Sequence, residues 1–240
     1  MADKAALVTG ASSGIGLAIA HMLGEEGYGM TVAARRPEKL EAAAEELRGK
    51  GYEVEHVAGN LADEEVIKSV VAAHRERYGR CDVLVNNAGV GIGAPVAELT
   101  TKALDIQINT NFRSIPLFYR ECIDMLRAAG AEHRKALVVN TASIAGKHGQ
   151  AWLSVYAATK FAVVGWTQSM HRELAGEGIK STALCPAFVD TPMTDFLEGQ
   201  VEPSDMITPQ DISETVRLLL KLSPACIVPE VQFVRPGDEM

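Results

Sequence analysis

Tyr156 and Lys160 stand four residues apart at the start of an apolar-periodic stretch that runs to about residue 177. On a helix that spacing puts both side chains on one face, one turn above the other. A phenol is a weak acid, with a reference pKa of about 10. A neighbouring ammonium favours the phenolate and pulls that value down. Such a pair can pass a proton to a carbonyl oxygen, or take one from an alcohol, near neutral pH. Tyr and Lys at this spacing also occur on helices that do no chemistry, so the rest of the chain must supply the context.

Three other stretches offer that context. Gly10-Ala11-Ser12-Ser13-Gly14-Ile15-Gly16 follows the apolar run Ala5–Thr9 and precedes the helix-like stretch 17–26. Strand, glycine turn and helix together make a dinucleotide phosphate site. Gly10 permits the tight turn, Gly14 lets the backbone approach a pyrophosphate, and Gly16 lets the helix pack on the strand. The helix N-terminus offers free N–H groups to the phosphates. A second strand ends at Ala34, followed by Arg35-Arg36. An acidic residue there would hold ribose hydroxyls and prefer NAD; its absence beside guanidinium groups favours the 2′-phosphate of NADP(H) over NAD. The bland alternative is that both arginines open a solvated helix at Pro37. Ser143 lies just past a fifth strand, where open α/β sheets bind ligands.

The elements that would position these groups alternate almost throughout. Strands are expected at 5–9, 29–34, 52–58, 81–85, 135–141, 179–185 and 228–234, with helices between them. Asp63 is placed to cap a helix over 64–78, and Thr100 or Thr101 one running to about 129. Asn109, Asn111 and Pro116 predict a bend inside that long helix. The pattern predicts an α/β protein, a single-domain Rossmann-type doubly wound sheet of about seven parallel strands flanked by helices. The whole chain, 1–240, reads as one dinucleotide-binding and catalytic domain. The polar, Pro-broken segment at about 188–208 reads as a substrate lid.

Net charge is −8 and no Lys/Arg block exists, which argues against nucleic acid and anionic membranes as partners. No signal peptide or membrane-spanning stretch is apparent, so a cytoplasmic location is expected. Cys81, Cys122, Cys185 and Cys226 are scattered, with neither disulfides nor a metal site expected. His148 is a candidate substrate contact but more often such a residue is solvated; His21, His56, His74, His133 and His171 read as surface or helix-end residues. Trp152, Phe188 and Met193 read as lining an apolar pocket or packing the lid.

Taken together, the stretches 9–16, Asn86-Asn87-Ala88-Gly89, Ser143, Tyr156-Ala157-Ala158-Thr159-Lys160 and Pro186 to Thr191 resemble, in order and spacing, the short-chain dehydrogenase/reductase family. The resemblance covers essentially the whole chain. It implies an NADP(H)-dependent oxidoreductase passing a hydride between nicotinamide and a carbonyl or secondary alcohol of a small molecule. Tyr156 would be the general acid/base. Lys160 would lower its pKa and hold the nicotinamide ribose, Ser143 would bond the substrate oxygen, and Asn111 would hold a water for proton relay. Arg35 and Arg36, with Ser12 or Ser13, would meet the 2′-phosphate, Asn60 and Leu61 the adenine, and Thr191 the carboxamide end. Ile15, Asn87, Ala88, Gly89, Pro186 and Val189 complete the implied cofactor set. Ala187, Asn60 and Ser13 depart from the family's usual glycine, aspartate and basic residue. An alternative activity is 3-oxoacyl-acyl-carrier-protein reductase, for which Arg113, Arg120, Arg127, Arg134 and Lys135 would be the docking patch. Such proteins are commonly homo-oligomers, tetramers or dimers. A non-catalytic nucleotide-binding protein would have no need of Ser143, Tyr156 and Lys160 together.

Overall fold

The computed structural model describes residues 3–195 and 201–238. Seven strands form one sheet: β1 (Ala5–Thr9), β2 (Gly29–Ala34), β3 (Val54–Ala58), β4 (Val83–Asn86), β5 (Ala136–Thr141), β6 (Ile179–Pro186) and β7 (Glu230–Phe233). Their order is β3-β2-β1-β4-β5-β6-β7, and every pairing is parallel. Strands β1, β2, β5 and β6 are buried at every position, which explains why they read as unbroken apolar runs rather than alternating ones. The helices are α1 (Gly14–Glu25), α2 (Pro37–Gly49), α3 (Glu64–Tyr78), α4 (Thr101–Ile108), α5 (Ser114–His133), α6 (Ser154–Leu174) and α7 (Pro209–Lys221).

Two apolar cores lie on opposite faces of the sheet. Ile19, Leu23, Leu40, Leu47, Ile212 and Val216 bring α1, α2 and α7 onto one face. Ile67, Phe118, Leu126, Val163 and Leu174 bring α3, α5 and α6 onto the other. The sheet order reverses direction at β1, with β2 on one side and β4 on the other. That switch point leaves a crevice at the carboxyl ends of β1 and β4, where the connecting loops part to opposite faces.

Local signals act as their chemistry dictates. Asp63 caps α3 by accepting from Glu65 N, Thr100 caps α4 by accepting from Ala103 N, and Thr208 with Asp211 forms a capping box on α7. The expected bend in the 101–129 helix is a π-turn over Asn109–Arg113, separating α4 from α5. Pro116 brings no N–H to the ladder just beyond it, and the Asn111 amide bonds elsewhere.

One expectation about the histidines is corrected. His74 is fully buried, with Nδ1 bonded to the Thr31 hydroxyl at 2.8 Å, and burial lowers its pKa to about 4. Its position on the buried stripe of α3, with Ile67, Val70 and Val71, decides this. All four cysteines are free; Cys81, Cys122 and Cys185 are buried and Cys226 is exposed. Among the described residues no helix is long and apolar enough to cross a membrane. The centre of the segment expected to act as a lid, 196–200, lies outside the described residues. Its flanks are joined by a bridge between Val189 and Ile207.

Candidate active site

Lys160 carries the only buried ammonium at the carboxyl end of β5 among the described residues. It is 4% exposed, and its Nζ donates to the Thr141 carbonyl at 2.8 Å. Tyr156 lies one turn earlier on α6, with Lys160 Nζ 5.5 Å from its ring centroid. The Ser143 hydroxyl stands near the Tyr156 phenol and favours its ionised form. Ser143 follows β5 directly and caps a short 3₁₀ turn, accepting from Ala145 N at 3.1 Å while its hydroxyl lies 3.3 Å from the Pro186 carbonyl. Two strand ends and one helix therefore converge on a single pair of hydroxyl groups.

The proton energetics differ from the expectation that Lys160 lowers the Tyr156 pKa. Burial raises the phenol above its ordinary value, and only the nearby Ser143 hydroxyl opposes that rise. Burial likewise lowers Lys160 to about 8. In the protein by itself both groups are pushed toward their neutral forms, because each loses water and neither gains a full counter-charge. The ammonium spends its hydrogen bond on a carbonyl, and it sits over the phenol ring rather than at the hydroxyl.

Asn111 is 1% exposed within the π-turn. Its Oδ1 accepts from Val90 N, and its Nδ2 donates to Val90 O and to Thr159 Oγ1. Thr159 Oγ1 in turn lies 2.7 Å from the Tyr156 carbonyl. A Cβ built on Gly89 would be 3.5 Å from Asn111 Oδ1 and 3.6 Å from Lys160 Nζ, so both groups meet across that glycine.

The glycine loop is tied to the neighbouring strands. Thr9 Oγ1 accepts from Asn87 N and Ala88 N, Asn87 Nδ2 donates to Gly10 O, and Thr141 Oγ1 donates to Asn87 Oδ1. Gly10 has φ of 68°, a conformation that glycine adopts at little cost. A Cβ on Gly16 would overlap Gly10 O and Asn87 Nδ2, so only glycine lets α1 close on the turn. No side chain caps the start of α1, leaving its first N–H groups to the crevice.

A cavity of about 820 Å³ joins these parts. Gly10, Ser12, Ser13, Gly14, Ile15, Arg35, Arg36, Asn60 and Leu61 line one end; Asn87, Ala88, Gly89, Ser143, Tyr156, Lys160, Pro186, Val189 and Thr191 line the rest. Of the residues expected to act here, only Gly16 and Asn111 are absent from the wall, Gly16 lying beneath the loop and Asn111 behind Val90. Ala187 does not disturb the path to Thr191: its N–H donates to Phe233 O at 2.9 Å, and Thr191 reaches the glycine loop at Gly14. His148, Trp152, Phe188 and Met193 line the other end, as do Gly91, Gly93, Gln150, Leu153, Val234 and Asp238, which sequence reasoning missed. The glycines at 89, 91 and 93 were a readable signal for a loop that passes close to a ligand. Val234 and Asp238 gave none, since they reach the site only because β7 lies beside β6. No group of three potential metal ligands occurs among the described residues.

The family model described as short chain dehydrogenase matches residues 4–201. The granaticin polyketide synthase putative ketoacyl reductase 1 of Streptomyces violaceoruber is 43% identical over 81% of this chain and 71% of its own length. A putative ketoacyl reductase of Streptomyces coelicolor is 38% identical over 98% of this chain and 97% of its own. Among solved structures, a variant of actinorhodin polyketide ketoreductase with NADPH superposes with a TM-score of 0.87 at 34% identity, covering 97% of both chains. An alcohol dehydrogenase from Thermococcus sibiricus, complexed with 5-hydroxy-NADP, superposes with a TM-score of 0.86 at 29% identity, covering 99% of this chain and 98% of its own.

The burial of Lys160 has a measurable signature. The unfolded chain holds the lysine proton up to about pH 10.5 and the folded chain only up to about 8. Between those values the unfolded state binds more protons, so stability rises with pH. In ligand-free protein, the unfolding free energy of the wild type should climb relative to Lys160→Met between pH 8 and 10.5, by on the order of 3 kcal/mol. Urea unfolding at pH 7.5, 9 and 10.5 reads this, and parallel curves for the two proteins would refute the burial argument.

Proposed function

From the chain's place in the short-chain dehydrogenase family, to which it belongs, we propose how it works as an NADP(H)-dependent oxidoreductase on ketones and secondary alcohols. The observation that carries the reading is the meeting of Ser143, Tyr156 and Lys160 on the wall of a cavity large enough for a dinucleotide. The residues present fit such a cofactor. Glycine backbone and the open end of α1 suit a pyrophosphate, the exposed Arg35 and Arg36 suit a 2′-phosphate, and Asn60 and Leu61 flank the place for adenine. Pro186, Val189 and Thr191 suit the nicotinamide end. When bound, the cofactor supplies or accepts the hydride, which no side chain can carry.

The chain's own residues handle the proton and the oxygen. Ser143 donates to the substrate oxygen and stabilises charge growing there. Tyr156 gives its proton to that oxygen in reduction and takes it back in oxidation. Lys160, held on Thr141 O, is placed for the ribose hydroxyls and for returning a proton to Tyr156. Asn111 stands in the widened π-turn behind Gly89, where a water would extend the path from Lys160. A carboxylate next to Tyr156 would compete for the proton; among the described residues the cavity wall carries one, Asp238, and it is paired with Arg235.

The names of the Streptomyces ketoacyl reductases, and of a 3-oxoacyl-acyl-carrier-protein reductase of Staphylococcus aureus that is 36% identical, support a second reading, a 3-oxoacyl substrate on a carrier protein. The arginines that such docking would use are already paired: Arg113 and Arg120 with Glu64, Arg120 also with Glu121, and Arg127 with Glu177. Arg134 closes α5 in a left-handed conformation. A free ketone or ester asks nothing of these pairs and is the reading we favour.

The homo-oligomer reading rests on an apolar groove of about 490 Å³ between α4 and α6, lined by Leu104, Ile108, Phe112, Val155, Ala158 and Ala162. The outward Phe161 beside it is 46% exposed. A second copy of the chain, laying the same helices across the groove, would cover both. Sedimentation should show an oligomer for the wild type and a smaller species for Ala158→Arg. Monodisperse monomer in both would remove this part of the proposal.

The chemistry is tested by two further variants. Tyr156→Phe should lose at least about a hundredfold in turnover while still binding NADPH, read by cofactor fluorescence; preserved turnover would sink the mechanism. Arg35→Ala should raise the KM for NADPH about tenfold and leave that for NADH nearly unchanged. Running the wild type with a free β-keto ester and with its carrier-bound counterpart separates the two substrate readings.

A further inference from the structure

Trp152 and Arg134 are the only non-glycine residues with positive φ among the described residues. Arg134 ends α5 and relaxes its last carbonyls, an ordinary place for such a backbone. Trp152, at φ 67°, ends no helix. A bulky side chain in the left-handed region is disfavoured, and such strain persists where the surrounding structure imposes it. Here the Trp152 carbonyl accepts from Ala94 N at 2.8 Å, which ties the loop before α6 to the loop after β4.

The side chain explains what the strain holds in place. A Cβ built on Gly93 would be equally close to Cδ2, Cε3 and Cζ3 of the indole. A point equidistant from three consecutive atoms of a six-membered ring lies on the axis of that ring. Gly93 therefore backs the face of the indole, and any larger residue would displace it. Two residues earlier, Gly91 stands against the Tyr156 ring, its would-be Cβ 3.8 Å from Cδ2. Residues two apart span at most about 7 Å, so the indole and the phenol border neighbouring residues of one loop. Trp152 is 52% exposed and lines the cavity, with Phe188, Met193 and Val234 also on this end of the wall.

We propose that Trp152 selects the substrate: its indole face, backed by Gly93, takes the flat ring system of an aryl or conjugated ketone whose carbonyl is held by Ser143 and Tyr156. The inference rests on the oxidoreductase reading above and adds the substrate class to it. Offset stacking of a flat ring on an indole stabilises it beyond simple burial. An aliphatic keto ester of similar polarity gains little from that face. Trp152 touches the substrate body and no reacting atom, so its effect belongs in KM.

The probes are 1-tetralone, a bicyclic aryl ketone, and ethyl acetoacetate. Trp152→Gly removes the ring and suits the left-handed backbone, so it should fold at least as well as the wild type. It should raise the KM for 1-tetralone about tenfold, leave kcat within about twofold, and move the KM for ethyl acetoacetate by less than about twofold. Trp152→Phe should recover most of the loss. Equal changes on both ketones, or none on either, would overturn the proposal. Binding is followed separately, as the quenching of fluorescence by 1-tetralone that is present in the wild type and lost in Trp152→Phe. Quenching without reduction would break the oxidoreductase reading and keep the stacking one, whereas reduction of 1-tetralone indifferent to Trp152 would do the reverse.

Discussion

The site depends on a buried ammonium bonded to the last carbonyl of a parallel strand. Lys160 Nζ on Thr141 O joins α6 to β5 at the point where the sheet stops pairing. Carbonyls at strand ends are the free acceptors of a parallel sheet, and Lys160, reaching one from a crossing helix, gives it one of the ammonium's three N–H donors. The contact fixes the height of α6 above the sheet, and Tyr156, one turn back, follows. It also leaves Lys160 with a depressed pKa, because a carbonyl dipole replaces hydration only in part.

A second set of bonds carries this geometry sideways. Thr141 links through Asn87 to Gly10, and Asn87 and Ala88 link to Thr9. The ends of β5, β4 and β1 thus hold one another through side chains beyond the backbone ladder. Ser143, Tyr156 and Lys160 and the glycine loop are parts of one bonded edge. The end of the cavity lined by Trp152 is built differently. It comes from the glycine-rich loop after β4, the loop before α6 and the residues after β7, joined by single contacts such as Ala94 N to Trp152 O. One end can stay constant while the other changes with the substrate.

Much of the scaffold was legible because its signals are local. Apolar runs, caps at Asp63 and Thr100, and the glycine turn each act over a few residues, and the structure keeps them within one or two positions. The motif residues were legible because their spacing maps onto one helix face or one strand end. Where the reading failed, the reason was distance along the chain. His74 looked like a surface residue until Thr31, on the neighbouring strand, met it. That Arg113 and Arg120, candidates for a docking patch, pair with Glu64, and Arg127 with Glu177, also depends on residues far off in the chain. The bend near Pro116 was expected, but its form was set by the demands of Val90 and Thr159 on Asn111.

The sequence by itself determined the alternation of elements, the doubly wound class and the glycine turn, since each of these follows from periodicity, turn chemistry or short spacing. Only the tertiary structure decided the protonation balance and the shape of the cavity end lined by Trp152. Tyr156 and Lys160 are drawn toward neutrality by desolvation, and desolvation is a property of everything packed around a group rather than of its neighbours in sequence. Trp152 stands where it does because Gly93, almost sixty residues earlier in the chain, leaves room for one face of its ring.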